Sequence, residues 1–318
     1  MTYTLRLVQV PHDYPHIARL LNTILQEPVT AEQLQAEDAR IPAQNRLSRD
    51  EDGLLGGFGR ERVVAVSEQG EIIGYAATWR APWAAPGVLA STLVVDPAHR
   101  NLGVGTALLQ HLEAWGRAQG ASCLLSEVPD HLPASRLFLE KNGYAVERHM
   151  FQSVLELANF DFSPYQGTVE RVEQSGIRFV NGQQPDAALH EFFLRTYRDN
   201  PAADELPPLG EVEQHFQKAD PALIWLALDG DTLVGMTELI EMEQSGGLYN
   251  EYTGVDPSYR GRGIALALKL ISIRQGLERK APYMRTDNDS ENAPMLAVNR
   301  KLGYVPAPGH LKVRKEFV

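Results

Sequence analysis

The phrase VDPSYRGRGIA, Val255 to Ala265, has a near copy, VDPAHRNLGVG, at Val95 to Gly105, and the two stand 160 residues apart. The same offset relates Asp96-Pro97 to Asp256-Pro257, Arg100 to Arg260, Gly103 to Gly263 and Gly143-Tyr144 to Gly303-Tyr304. Further upstream, EIIGYAATW around Gly74 matches TLVGMTELI around Gly235 at an offset of 161, so one net residue separates the registers. A period this long exceeds that of a solenoid unit and points to a duplicated whole domain. The chain's 318 residues also exceed what one hydrophobic core ordinarily serves. The seam is expected between strand-like HMFQSVLEL, His149 to Leu157, and a new strand in GIRFVNG, Gly176 to Gly182. The polar, Pro- and Gly-bearing NFDFSPYQGTVE suits that junction, which gives domains at 1–160 and 168–318.

Within each copy, alternating or β-branched runs are interleaved with segments of helical period, which predicts an α+β fold. In the first copy LRLVQV reads as a strand, HIARLLNTILQ as an amphipathic helix and ERVVAVSEQGEIIGYAATW as a hairpin turning at Glu68 to Gly70. In the second, RFVNG is a strand, DAALHEFFLRTYR and EVEQHFQKA are helices, and LIWLALDGDTLVGMTELIE is a hairpin turning at Asp229-Gly230-Asp231. Each copy then has a short strand, STLVV or NEYTGV, that runs through Asp-Pro and a glycine-bearing loop into a helix. Val104, Ala107, Leu108, Leu112 and Trp115 trace one face of the first helix; Ile264, Leu268, Ile271 and, less regularly, Leu266 trace one face of the second.

Asp and Glu number 41 against 30 Lys and Arg, and the excess is present on both sides of Thr168. That balance disfavours nucleic acid as a partner and suits small cationic acceptors. The lone cysteine, Cys123, permits no disulfide and no cysteine-ligated metal within the chain. No metal is expected. The opening MTYTLRLVQVPHDYPH lacks the pattern of a signal peptide, and no apolar run is long enough to span a bilayer, so a soluble cytoplasmic protein with no membrane partner is expected. Nothing in the sequence fixes an oligomeric state.

The two loops, Arg100-Asn101-Leu102-Gly103-Val104-Gly105-Thr106 and Arg260-Gly261-Arg262-Gly263-Ile264-Ala265, place small residues where the N–H groups of a first helical turn must approach something closely. A diphosphate fits that need, held by free amides and the positive helix end, with Arg260 or Arg262 adding charge-assisted bonds. Glycines that merely shape a tight turn are the alternative. Neither loop is followed by the Lys-Ser or Lys-Thr of a P-loop, and neither has the Gly-x-Gly-x-x-Gly form of a dinucleotide site.

Forty residues beyond Gly103 and Gly263 stand FLEKNGY and AVNRKLGY, each a helix end turning through glycine into a strand. With the Arg-x-x-Gly-x-Gly/Ala loops, these residues make the chain resemble the GCN5-related N-acetyltransferase (GNAT) family, as two tandem domains covering almost its whole length. The resemblance implies a mixed, mainly antiparallel sheet splayed between its fourth and fifth strands. It implies acetyl-CoA as cosubstrate, with pantetheine in the wedge and pyrophosphate on the loop, and direct acetyl transfer to an amine. Cofactor contacts are accordingly expected from Val255 with Arg260 to Ala265, from Asn288 and Asn292, and in the first copy from Val95, Arg100 and Leu102 to Thr106.

An acceptor amine with a lysine-like pKa of about 10.4 must lose a proton before it attacks. Glu251, four residues before Val255, occupies a place where some small-molecule members of the family carry an acid near the acceptor. Strand alternation puts it on one face with Thr253 and Val255; a solvated edge glutamate is the alternative. Its counterpart in the first copy is Ser91, which cannot act as a carboxylate base. Downstream, Asn288, Asn292 and Asn299 face Val128, Leu132 and Leu139. In the family the place of Asn299 is usually a tyrosine that protonates the leaving thiolate, and neither copy has it. Asn299 could donate an N–H to the sulfur; Tyr252, Tyr283 and Tyr304 are the other candidates. A backbone N–H near Thr253 is where the family polarises the thioester carbonyl. GLLGGFGRER, Gly53 to Arg62, reads as a flexible loop over a cleft, and residues 37–53 and 198–210 as acceptor-pocket loops.

The expected function is therefore an acetyl-CoA-dependent N-acetyltransferase acting on a small-molecule amine, with chemistry in the second copy and a degenerate first copy. An acyl-CoA-binding regulatory or scaffold protein without turnover, or transfer to a protein or peptide amine, are the alternatives.

Overall fold

The computed structural model describes all residues except 1, 26–27, 40–45, 82–83, 183–184, 200–206, 208, 243–244 and 318. Its elements run β1 (Tyr3–Leu7), α1 (Tyr14–Leu21), α2 (Ala31–Ala39), β2 (Leu47–Arg49), β3 (Leu55–Gly57), β4 (Gly59–Ser67), β5 (Ile72–Arg80), β6 (Val88–Val95), α3 (Val104–Gln119), β7 (Cys123–Pro129) and α4 (Pro133–Lys141). There follow β8 (Ala145–Glu156), α5 (Thr168–Gln174), β9 (Ile177–Asn181), α6 (Ala187–Tyr197), α7 (Leu209–Lys218), β10 (Ile224–Asp229), β11 (Thr232–Met242), β12 (Gly247–Val255), α8 (Ile264–Glu278), β13 (Tyr283–Asp289), α9 (Ala293–Lys301) and β14 (Val305–Glu316).

The chain divides into two compact units, Met1–Glu147 with His310–Val318, and Arg148–Gly309. This differs from the expected division at 1–160 and 168–318. The strand after α4 does not close the first unit: β8 pairs with β13, from Tyr283↔Glu156 to Asp289↔Met150. The first unit is closed by the chain's last strand, with β14 pairing β7 from His310↔Pro129 to Glu316↔Cys123. Burial follows the pairing, since Leu155 and Leu157 pack into the second unit's core and Leu311 and Val313 into the first unit's. Both strands follow equivalent helices in the repeat, so their sequence offset carries no record of which sheet each one joins.

In the first unit the sheet order is β1-β4-β5-β6-β7-β14, and in the second β9-β10-β11-β12-β13-β8. Neighbours are antiparallel except β6 with β7 and β12 with β13. The hairpins bulge alike at Ile73 and Val234, the residues passed over in the pairings Ala65↔Gly74 and Ala227↔Gly235, and the offset of 161 becomes 160 beyond them, between the paired Gly74 and Val95 and the paired Gly235 and Val255. Each central helix packs across its own sheet. Val104, Leu108 and Leu112 of α3 lie against Val63, Ala65 and Ile73, while Ile264, Ala267 and Leu268 of α8 lie against Ala227, Val234 and Val255. Burying each such side chain stabilises the fold by about 1.5–3 kcal/mol.

Several local expectations are corrected. Ile271 is only half buried, and α8 turns Leu270, Ile273, Lys269 and Ser272 inward as well, because α5 and the junction residues Phe160, Phe162 and Tyr165 pack on it in addition to its strands. Gly53 to Arg62 is not a loop over a cleft, since Leu55–Gly57 pairs with Leu47–Arg49 and Gly59 opens β4. The junction folds into α5, whose Val172 packs on α8. The helix read over His16 to Gln26 ends at Leu21, and Gln26 lies outside the described residues, as do 40–45 and most of 198–210.

Candidate active site

Both repeated phrases fold into one local structure. After β12 the Asp256 carboxylate accepts the Ser258 N–H at 3.0 Å, Arg260 Nε donates to Val255 O at 3.1 Å, and Gly261 and Gly263 take φ of +77° and +83°. After β6 the pattern repeats with Asp96 to Ala98 N at 3.0 Å and Arg100 Nε to Val95 O at 3.2 Å, and with φ of 62° at Asn101 and +83° at Gly103. Glycine is conformationally required at the shared position before each helix; at the other, asparagine tolerates the left-handed region. No side chain caps α3 or α8. The first-turn N–H groups of both helices are thus left without side-chain partners at the positive end of the helix dipole, an arrangement suited to an anion.

At the shared glycine the two loops are alike, since a Cβ built on Gly263 would meet Val172 at 3.6 Å and one on Gly103 would meet Tyr3 Oη at 3.7 Å. Arg260 is exposed, its Nη2 2.7 Å from Asp199, so it can exchange that surface partner for a phosphate oxygen. Arg262 instead stacks over Tyr259, with its guanidinium 4.5 Å from the ring centroid. In the first copy Leu102 and Thr106 are exposed beside the same loop and Val104 is buried in the core.

The two wedges differ. In the first unit β6 and β7 pair from Val88↔Cys123 to Ser91↔Ser126, and the Ser91 and Ser126 hydroxyls lie 2.8 Å apart at the end of that ladder. In the second unit pairing is confined to Leu248↔Met284 and Tyr249↔Arg285. There the opposite edge of the strand is irregular too: Glu238 pairs with Tyr252 and Leu239 with Asn250, leaving Glu251 as an extra, bulged residue. The first copy runs without such a shift from Gly74↔Val95 to Trp79↔Ala90. A cleft of about 770 Å³ opens at this point of the second unit, reaching from Glu251 and His215 to Arg260, Gly263 and Asn292.

The bulge overturns the alternation expected for Glu251, Thr253 and Val255. Val255 packs against α5 and α8, and Thr253 Oγ1 bonds Thr237 and Asn250 on that same side. Glu251 belongs electrostatically to the other side, where Glu238 of β11 is paired with His215 of α7 at 2.9 Å. Its carboxyl is open to the cleft's water yet hemmed in by protein. That crowding, with repulsion from Glu238 and Asp287, pushes its pKa above the ordinary carboxylate value, against a smaller pull from His215. The His215 pKa is raised, first by its hydrogen bond to Glu238.

On the thiolate side the expected donors are engaged elsewhere. Asn299 is buried and gives its Nδ2 to Asn288 Oδ1 at 2.7 Å; its own Oδ1 is buried without a partner. It supports Asn288 rather than reaching the cleft. Asn288 in turn donates to Ser153 Oγ at 2.9 Å, and Asn292 caps α9 by accepting from Met295 N at 3.3 Å, both at the cleft wall. Tyr252 lines the cleft, but its hydroxyl donates to Thr196 Oγ1 at 2.9 Å and its ring packs on Phe193; burial raises its pKa to about 12. Tyr283 donates to Ser245, and the Tyr304 hydroxyl is buried without a partner.

Sequence reasoning passed over the polar group beneath the bulge. Lys269, 2% exposed in α8, donates to Asn250 Oδ1 at 2.6 Å, and Asn250 Nδ2 donates to Thr237 Oγ1, Glu238 O and Tyr252 O. A signal was present, because the positions 160 earlier are Leu109 and Ala90. Among the described residues no group of three or more His, Cys, Asp and Glu could hold a metal ion, and no helix is long and apolar enough to cross a membrane.

The acetyltransferase (GNAT) family model matches residues 22–144 and again 187–304. The chain belongs to that family, as a tandem acetyl-CoA-dependent N-acetyltransferase. It is similar to the mycothiol acetyltransferase of Streptomyces scabiei, 29% identical over 300 residues that cover 88% of this chain and 89% of the relative. The mycothiol acetyltransferase of Amycolatopsis mediterranei is 30% identical over 266 residues, 77% of this chain and 81% of the relative. Among solved structures, a GCN5-related N-acetyltransferase from Sphaerobacter thermophilus superposes with a TM-score of 0.68 at 21% identity over 99% of this chain and 95% of its own. A tandem GNAT protein from the clavulanic acid biosynthesis pathway gives 0.64 at 18% identity, over 99% and 98%. These two likenesses establish the shared tandem fold.

Proposed function

We propose that the second unit transfers the acetyl group of acetyl-CoA to the amine of a small cationic molecule, and that the first unit does no chemistry. The bulge at Glu251 carries this reading, for it sets a carboxylate of raised pKa into the cleft above the anion-binding start of α8. Val255 and the Arg260 to Ala265 loop would hold the pyrophosphate, with Asn292 and the Asn288–Asn299 pair forming the facing wall. Bound there, acetyl-CoA supplies the activated thioester. Glu251 takes the proton that the acceptor ammonium must shed, directly or through water, and the raised pKa strengthens it as a base. The strand N–H groups near Thr253, beyond the point where β12 and β13 part, polarise the carbonyl under attack. The Asn299 and Tyr252 donors are otherwise engaged, so a thiolate with a pKa of about 8.5 leaves without a dedicated acid. Glu211, Glu251 and Asp287 line the acceptor side of the cleft and favour a cation. The first unit lacks the carboxylate, and its strands remain zipped through Ser91 and Ser126.

The test is thiol release from acetyl-CoA over a panel of amines headed by mycothiol-related ones. Release that depends on the amine, and that falls on the order of 10²-fold or more in Glu251→Gln, supports the reading. Binding of acetyl-CoA with no amine-dependent release would leave a regulatory binder as the better description.

A further inference from the structure

Two residues outside the reacting groups stand directly behind the bulge. Asn250 precedes Glu251, and its side-chain amide spans both strands, donating to Glu238 O at 3.0 Å, to Tyr252 O at 3.2 Å and to Thr237 Oγ1 at 2.9 Å. Its main-chain carbonyl accepts from Thr286 Oγ1 at 3.0 Å, on the strand that splays away. Its Oδ1 is held by Lys269 Nζ at 2.6 Å and by Thr253 Oγ1 at 3.1 Å. Lys269 is 2% exposed, at the floor of the cleft, with the Tyr304 ring 5.2 Å from its Nζ. Carrying an amine into a core is unfavourable unless it serves a purpose, and burial lowers this one's pKa to about 7.

The chain holds its own control. In the first copy Ser91 takes the place of Asn250 in the ladder, opposite Thr78 as Asn250 is opposite Leu239, and Leu109 takes that of Lys269; Leu109 is buried apolar core, β6 pairs β5 with no bulge, and β6 and β7 stay zipped to Ser91 and Ser126. Where the second has Asn250 and Lys269, the strand bulges and its ladder with β13 ends at Tyr249↔Arg285, one position short of the first unit's Ser91↔Ser126.

We infer that Lys269 and Asn250 are positioning residues: their hydrogen bond fixes the amide that clamps the bulge, and the clamp aims Glu251 into the cleft. The inference rests on the reading of Glu251 as the base, and it makes the pair the difference between a working strand and a silent one. Glu251 is faced by Glu238 of β11, His215 of α7 and Asp287 of β13, so its titration reports where the clamp holds it.

The experiment removes each polar side chain, by Lys269→Leu after the Leu109 of the first copy and by Asn250→Ala, singly and together. It follows amine-dependent turnover, the KM for acetyl-CoA, and the Glu251 carboxyl titration by carbon NMR, assigned with Glu251→Gln. We expect kcat to fall on the order of 10–100-fold with KM for acetyl-CoA within about twofold. The Glu251 titration should move toward the ordinary carboxylate value, and the double variant should be no worse than the more damaging single one. Folded variants with Glu251 titrating as before and kcat unchanged would overturn the inference; so would additive losses. If Glu251→Gln keeps full turnover while the two variants still move the titration, the base assignment fails and the clamp stands. Lys269→Met and Asn250→Ser carry the same outcomes if a first-choice variant does not fold.

Discussion

His215 Nε2 lies 2.9 Å from the carboxylate of Glu238, a side chain almost wholly withdrawn from water. The pair sits beside Glu251 and biases it in opposite directions, Glu238 raising its pKa and His215 lowering it. Removing the cation therefore has a definite sign. In His215→Asn the Glu251 pKa rises further, and the acid limb of kcat/KM moves to higher pH. In Glu238→Gln the repulsion is lost and the limb moves down. Profiles of the two variants on one amine check both directions; limbs moving together would contradict the arrangement.

The same pair makes stability depend on pH. The folded His215 pKa lies above its ordinary 6.5. Its ionic contribution is therefore complete below that ordinary value and is lost as pH rises through the folded one. Urea melts of wild type and His215→Ala should differ most near pH 5.5, with the gap narrowing above neutrality. A gap that widens with pH would mean that the imidazole is not held as a cation.

The two anion cradles lead to a binding experiment. Gly263 and Gly103 share a φ of +83° at the start of uncapped helices. A glutamate there brings both strain and a carboxylate to the anion's place. Gly263→Glu should abolish turnover and binding at the second unit, whereas Gly103→Glu leaves turnover intact. Calorimetry with acetyl-CoA then counts sites: a wild type binding two molecules, with Gly103→Glu losing the one that does not support turnover, is the expected outcome. Equal loss of activity in the two variants would refute the asymmetry.

The two hairpins and the loop-to-helix phrases were legible because each is local, fixed by residues a few positions apart, and the duplication because those local phrases recur at one offset. The closing strands were not, since Leu155 and Leu311 occupy similar alternating runs and only long-range pairing assigns each to a unit. At the site, Glu251 was visible as an acid facing a serine in the other copy, but its orientation was misread because a bulge breaks the two-residue period. Asn299 was read as a donor by its place in the helix; its engagement with Asn288 depends on where β13 brings that second asparagine. Lys269 was hidden inside an apolar stripe, although comparing it with Leu109 would have exposed it.

Lys269 also sets stability against activity. Its pKa of about 7 in the fold lies below the 10.5 of an unfolded lysine, so between these values the unfolded chain holds a proton that the folded chain does not. Stability therefore rises with pH across that window, and at or below pH 7 the fold bears the full penalty of a buried ammonium. Replacing the amine with the leucine that α3 carries at Leu109 removes the penalty, while Asn250 Oδ1 keeps its bond from Thr253. Lys269→Leu should thus be more stable than wild type at pH 7, by about 1–4 kcal/mol as for other buried ionic groups replaced by apolar ones. The gain should shrink as pH rises and disappear near 10.5, while the variant remains the slower enzyme at every pH. Denaturant melts at pH 7 and pH 10 beside turnover assays check this. A variant less stable at both would show that packing around the lysine stem outweighs its charge.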